Sequence, residues 1–308
     1  MSASMEREGD RLAEITRGRL VVLLAATEIE AEPLRAALSG VDRMEIASKS
    51  VYLGELRAAT AGQEQNGAQD SRMMDDAAVP LVLAVSGCDK VNAAHTLTCL
   101  LQAMRPPPKL VLQVGIAGAF QHTSMGLDTG TPASGPEVGD IVLATEEVYS
   151  DTGSFGAEEW LSAAELGLPI ACVDGVETGG IFTLDSDLVA AARESIEIAE
   201  WQGAPPRIHA GVCVTASRIT GCRSEADAIA ERWGALAESM EGAAAAHVCA
   251  LHGVPFLEIR GISNVVGEPD RNAWQIESAV RVAAQAALAA TAALAGRLGE
   301  ESVDGARP

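Results

Sequence analysis

Short runs of uninterrupted apolar residues recur along the chain, each followed by a polar or glycine-bearing break and then a stretch of mixed character. Segments 20–26 (LVVLLAA), 81–85, 110–114, 141–149, 210–214 and 255–262 read as strands buried on both faces, as in a largely parallel sheet. Residues 51–60 add a further strand, and a short one ends in Ser239-Met240-Glu241. Between them, helices are predicted over about 28–38, 90–104, 185–201, 224–233 and 242–252, with a closing alanine-rich helix from about Trp274. Pro106, Pro107 and Pro108 stop the second of these before the strand at 110. Strands alternating with helices and no intervening linker predict one α/β domain of three layers over 19–298, with flexible ends at 1–18 and 299–308. The polar, glycine-bearing stretches 61–78 and 122–138 are expected as surface inserts.

The pattern also says where polar side chains emerge. Glu241 and Asn264 come out at the ends of two strands joined by the helix 242–252, on the sheet edge where open α/β sheets bind ligands. A carboxylate there can accept from two neighbouring hydroxyls, and an amide offers a donor and an acceptor to a flat heterocycle. Together they suit a nucleoside, sugar diol on one side and base on the other. Singly, each also has a local explanation: a Glu can serve the helix dipole and an Asn can serve a turn. Glu30 follows the first strand in Thr27-Glu28-Ile29-Glu30, where it completes a capping box with Thr27 and also stands at a strand end with its carboxylate available to a ligand. Gly115 to Ala119 (GIAGA) reads as a glycine turn after the strand 110–114, letting a ligand approach the backbone.

The strings SMEGAAAAHV and GVPFLEIRGISN resemble the signature of the nucleoside phosphorylase and nucleosidase superfamily. Over 239–267 the wording is similar to its futalosine hydrolase branch, whose members act in menaquinone biosynthesis. Strand-Glu30, SGCDKVNAA, VGIAG, SMEG and RGISN follow one another in the superfamily's order. The resemblance implies a central mixed sheet, partly curled into a barrel, with helices on both faces, and commonly a homo-oligomer. It also implies roles. Glu30 would activate the attacking water. Glu241 would hold the ribose 2′- and 3′-hydroxyls, Met240 would pack on the ribose face, and Ile116, Ala117 and Gly118 would line the sugar and water side. The loop 215–221 (TASRITG) would meet the base through Arg218 and Ile219, with Arg218 stacking on it, pairing with a ligand carboxylate or lying in solvent. Adenine-releasing relatives resemble RAISD, with an Asp as general acid; here the motif is RGISN. An amide cannot supply a proton, so Asn264, oriented by Ser263, points to a 6-oxopurine leaving group, whose carbonyl accepts its hydrogen bond. The implied reaction is hydrolysis of futalosine to hypoxanthine and dehypoxanthinylfutalosine. An adenine-releasing nucleosidase and a non-catalytic nucleoside-binding protein stay open. Residues 151–169, with Phe155 and Trp160, are expected either to close over the far, carboxyphenyl end of the ligand or to form a solvated loop.

Composition narrows the field further. The formal charge of −21 leaves no basic face for nucleic acid. Six cysteines without a CxxC pair are expected as reduced thiols of a cytoplasmic protein, and five histidines without ligand spacing predict neither a metal nor another cofactor. The charged N-terminal stretch lacks the apolar core of a signal peptide, and 279–294 is interrupted by Arg281 and Gln285, so no membrane partner is expected. The small-molecule nucleoside that Glu241 and Asn264 suit remains the expected ligand.

Overall fold

The computed structural model describes residues 21–57, 78–121, 135–156, 160–201, 203–268 and 270–304. The extension expected at 1–18, and most of the inserts expected at 61–78 and 122–138, lie outside these residues. β1 (Val21–Ala25) is entirely buried and leads into α1 (Glu28–Ala36). β2 (Leu38–Ile46) and β3 (Lys49–Leu56) form a hairpin, followed by β4 (Val79–Val85), α2 (Lys90–Ala103) and β5 (Leu110–Ala119). Next come β6 (Ile141–Tyr149) and five three-residue strands: β7 (Gly153–Phe155), β8 (Trp160–Ser162), β9 (Ala171–Val173), β10 (Val176–Thr178) and β11 (Ile181–Thr183). The chain closes with α3 (Ser186–Glu197), β12 (Ile208–Thr215), α4 (Arg223–Trp233), β13 (Ala235–Ser239), α5 (Gly242–His252), β14 (Phe256–Val265) and α6 (Ile276–Asp304).

One mixed sheet holds the fold together. β1 lies parallel between β4 and β5, and β3 and β2 extend that side antiparallel. On the other side β5, β14, β6, β12 and β13 pair in a closed circuit, so the sheet curls into a barrel. Closure removes the free edges that these five strands would otherwise present. α2 packs on α5, whose Ala243, Ala244, Ala245 and Ala246 are all buried, while α1 and α3 pack against α6. Small residues on α5 let helix and sheet approach closely, as the alanine run implies. By length and composition 276–295 could cross a membrane; half of its window is buried within the protein, against β5, β14, α1 and α3.

Several expectations are corrected. GIAGA is strand, not turn: β5 continues to Ala119 because Gly115 to Ala119 pair with Arg260 to Val265 of β14. β2 was absent from the sequence reading because an edge strand paired only to β3 alternates polar and half-buried residues and never shows an apolar run. Residues 151–169, expected as a cover over the ligand or a solvated loop, hold the β7–β8 hairpin. β14 also runs past its expected end, to Val265, and α6 continues through Asp304, into the stretch expected as a tail.

Candidate active site

Register explains how the site residues are aimed. Ile262 faces Ala117 and Asn264 faces Gly118, so Ser263 is an extra residue on β14, a β-bulge. Bulges re-aim side chains beside functional sites. Here Ser263 Oγ donates to Asn264 Oδ1 at 2.7 Å and Asn264 Nδ2 donates to the Val265 carbonyl at 3.2 Å, which orients the amide. The second Nδ2 hydrogen is left for a ligand. Gly118 makes the room, since a Cβ there would meet Asn264 Nδ2 at 3.1 Å and Val266 at 2.9 Å.

Glu30 is a capping residue and something more. Its Oε2 accepts from the Thr27 N–H (2.9 Å) and the Thr27 hydroxyl (2.8 Å), while its own N–H donates to Thr27 Oγ1 (3.2 Å), completing the capping box. Among the described residues its Oε1 accepts only the Ile116 N–H, at 3.0 Å. An ionised carboxylate oxygen has two lone-pair sites, so Oε2 is filled and Oε1 keeps one for a water. Gly115 keeps this spot open: a Cβ there would stand 2.5 Å from Glu30 Oε1 and 2.7 Å from Arg260 Nη1.

Glu241 precedes α5 without capping it. Its carboxylate turns instead to the Asp89 N–H (3.0 Å to Oε1) and Arg260 Nη2 (3.4 Å to Oε2). Each oxygen thereby retains one lone pair, enough for a diol. Burial raises its pKa, against the lowering effect of Arg260 and the Asp89 N–H. Asp89 has a φ of 83°, a strained backbone for a non-glycine residue, and the strain aims its amide at Glu241. The same burial and the neighbouring Glu241 push the Cys88 thiol up.

Behind Glu241 lies a buried charged cluster. Arg260 is 1% exposed. Its Nε and Nη2 donate to Glu258 at 2.8 and 3.3 Å, and its Nη1 to the Ile116 carbonyl at 3.2 Å. Glu258 in turn faces Glu147, whose Oε2 accepts from the Thr215 hydroxyl at 3.2 Å. Thr215 also receives the Ala243 N–H of α5 at 2.8 Å. The helix begins against the two carboxyls only because Gly242 lacks a Cβ, which would lie 2.3 and 2.4 Å from their oxygens. Burial, then Glu258, hold the Glu147 carboxyl well above its ordinary range. The Glu147, Cys213 and Glu258 ligand atoms lie within 4.8 Å of one another, a spacing that a cation could bridge; the adjacent Arg260 guanidinium already supplies positive charge to this pocket.

A raised carboxyl has a consequence for stability. From 4.5 upward the unfolded chain has lost the Glu147 proton while the folded protein still holds it, so rising pH favours unfolding until the folded group also titrates. Glu147→Gln removes that proton and its slope of up to about 1.4 kcal/mol per pH unit. Between pH 5 and 8 the variant should lose less of its urea midpoint than the wild type. Equal losses would mean that Glu147 is not protonated in the fold.

A cavity of about 260 Å³ brings the candidates together. Glu30, Ile116, Ala117, Gly118, Ile219, Met240, Glu241, Ser263 and Asn264 all line it. Glu238, buried in β13, accepts from the Thr220 N–H and hydroxyl, which fixes the loop carrying Ile219. Arg218 is not among the lining residues: its side chain is 69% exposed, pairs with Glu225, and borders a neighbouring cavity of about 280 Å³ together with Phe155 and Trp160. The reading of 151–169 as a cover over this site therefore finds no lining residue here, although 157–159 lie outside the described residues.

A sequence profile of the phosphorylase superfamily matches residues 21–297. The chain belongs to that superfamily. Among relatives of this phosphorylase-superfamily chain, the futalosine hydrolase of Thermus thermophilus is 34% identical over 201 residues, 65% of this chain and 76% of its own. The futalosine hydrolase of Streptomyces coelicolor is 36% identical over 176 residues, 56% of this chain and 61% of its own. Among solved structures, the 5′-methylthioadenosine/S-adenosylhomocysteine nucleosidase of Neisseria meningitidis with methylthio-immucillin-A superposes with a TM-score of 0.66 at 22% identity, over 88% of this chain and 98% of that one, a likeness of fold.

Sequence reasoning missed Glu147, Glu258 and Asp89, and gave Arg260 only the part of bracing the strand end that carries Ser263 and Asn264. A signal was present: Glu147 and Glu258 stand within the largely apolar strands IVLATEEVY and VPFLEIRGI, where a buried carboxyl needs a partner.

Proposed function

We propose that this protein is a futalosine hydrolase, cleaving the N-glycosidic bond of futalosine to hypoxanthine and dehypoxanthinylfutalosine in menaquinone biosynthesis. The observation that carries the proposal is the free lone pair on Glu30 Oε1, in one cavity with the two free lone pairs of Glu241 and the amide of Asn264. The named relatives support the same chemistry.

In this reading Glu241 takes the 2′- and 3′-hydroxyls, Met240 packs on the ribose, and Asn264 donates to the 6-oxo-purine. As the C1′–N bond stretches, positive charge grows on the sugar, and the Glu241 carboxylate below it is stabilising. Glu30 aims a water at C1′ and takes its proton. The water oxygen bonds to C1′, the C1′–N electron pair leaves with the base, and one proton is taken up by the departing hypoxanthine. The apolar Ile116 and the anionic Glu30 at the nucleophile position favour water over phosphate, which needs cationic donors. The enzyme acts in this reading as one domain over 19–298, in the cytoplasm and as a homo-oligomer, the last of which sedimentation would check.

Chromatography of reaction mixtures with futalosine, inosine, adenosine and methylthioadenosine, each with and without phosphate, tests the proposal. Phosphate-independent release of hypoxanthine from futalosine is expected. Adenine release would move the activity to the adenine nucleosidases, and phosphate dependence would make the enzyme a phosphorylase. Asn264→Asp should weaken use of 6-oxopurine nucleosides and raise relative use of adenine nucleosides, because a carboxyl can protonate the base where an amide cannot. An unchanged preference would remove Asn264 from base selection.

A further inference from the structure

The cavity has a wall that the sugar, the base and the water do not use. Ile29 of α1, Ile276 and Val280 of α6, and Trp274 and Arg271 from the turn between β14 and α6 form it. The turn is built to stay there. Asp270 caps it by accepting from the Asn272 N–H at 2.9 Å, and the Gln275 N–H donates to the Ser263 carbonyl at 2.8 Å, tying the residue after Trp274 to the strand end that carries Asn264.

Two features of this wall lack a partner. The Trp274 Nε1–H is shielded from solvent and has no acceptor, the kind of buried donor that a bound ligand completes. Arg271 is the one cation among the residues lining this cavity, and no carboxylate forms an ion pair with it among the described residues. Its guanidinium instead lies over the Trp274 ring, 5.4 Å from the centroid. A guanidinium fork left free matches a carboxylate in two parallel hydrogen bonds, and an indole face takes a second aromatic ring.

We propose that Trp274 and Arg271 form a subsite for an aryl carboxylate on the 5′ side of the nucleoside, with Trp274 stacking on the ring and Arg271 pairing with the carboxylate. The inference rests on the nucleosidase reading above. With the base directed to Asn264 and the 2′,3′-diol to Glu241, the 5′ substituent is the part of a nucleoside left to meet this wall. The same side chains would then set the preference for a carboxyaryl nucleoside over a bare one.

The test has two arms. In the first, kcat/KM is measured for futalosine and for inosine, which lacks the aryl carboxylate, in wild type, Arg271→Gln and Arg271→Lys. The futalosine-to-inosine ratio should fall about ten- to hundredfold in Arg271→Gln, chiefly through KM, with partial rescue in Arg271→Lys. In the second, 3-acetylbenzoate is titrated into the protein by calorimetry. It should bind the wild type, and bind Arg271→Gln and Trp274→Leu at least tenfold more weakly. A wild type inactive on futalosine would sink the functional reading while the calorimetric arm still decides the subsite. An unchanged ratio together with unchanged probe binding in Arg271→Gln would overturn the subsite. So would loss in Arg218→Gln alone, which would put the carboxylate in the neighbouring cavity.

Discussion

Glu30→Gln should lower kcat about 10²- to 10⁴-fold while leaving nucleoside affinity near that of the wild type, the range expected when a general base is lost. Only Oε1 of Glu30 has a free lone pair, and its other oxygen is committed to Thr27. In the Gln variant the amide oxygen can keep the Ile116 N–H, but no group remains to take the proton of the water. The amide nitrogen would also face the Thr27 N–H, costing about 0.5–2 kcal/mol of capping. Steady-state kinetics with a thermal melt on the same sample separates the two effects. A kcat within tenfold of wild type would remove Glu30 from the chemistry and leave it as a cap.

Glu258→Leu should be the most destabilising single change in the site, by about 3–5 kcal/mol, because it strips the closest anion from a fully buried guanidinium. Arg260 would retain Glu241 at 3.4 Å and the Ile116 carbonyl at 3.2 Å. Pulled toward Glu241, it would occupy the lone pair that the proposed reading gives to the diol, so on that reading activity should fall as well. The double variant Glu258→Leu/Arg260→Met removes the orphaned charge along with its partner. It should recover much of the stability without recovering activity. Urea unfolding of the single and double variants decides this: a double variant no more stable than the single one would locate the loss in packing rather than in the stranded charge.

Much of the site was legible because its residues stand at strand ends next to recognisable helix starts. Thr27 and Glu30 form the capping box that their spacing announces, and Ser263 orients Asn264 as expected. Glu241 departed from its local explanation: it forms no cap bond and serves Asp89 and Arg260 instead. Arg218 illustrates the opposite limit. Its place in a promising loop said nothing of direction, and the side chain turned outward to Glu225, while its neighbour Ile219 turned in.

The sequence by itself determined the alternation of buried strands and helices, the alanine-rich α5, and the candidate positions Glu30, Glu241 and Asn264. These depend on local periodicity and capping, which act over a few residues and are written in the order of the chain. Closure of the barrel was decided only by tertiary structure, since it requires β14 to pair at once with β5 and β6, more than a hundred residues earlier in the chain. So were the bulge that turns Ser263 and Asn264 toward one cavity, and the meeting of Glu147, Glu258 and Arg260 behind Glu241. A buried charge is tolerable only beside its partner, and which partner arrives is a property of strand register, set by the packing of the whole sheet.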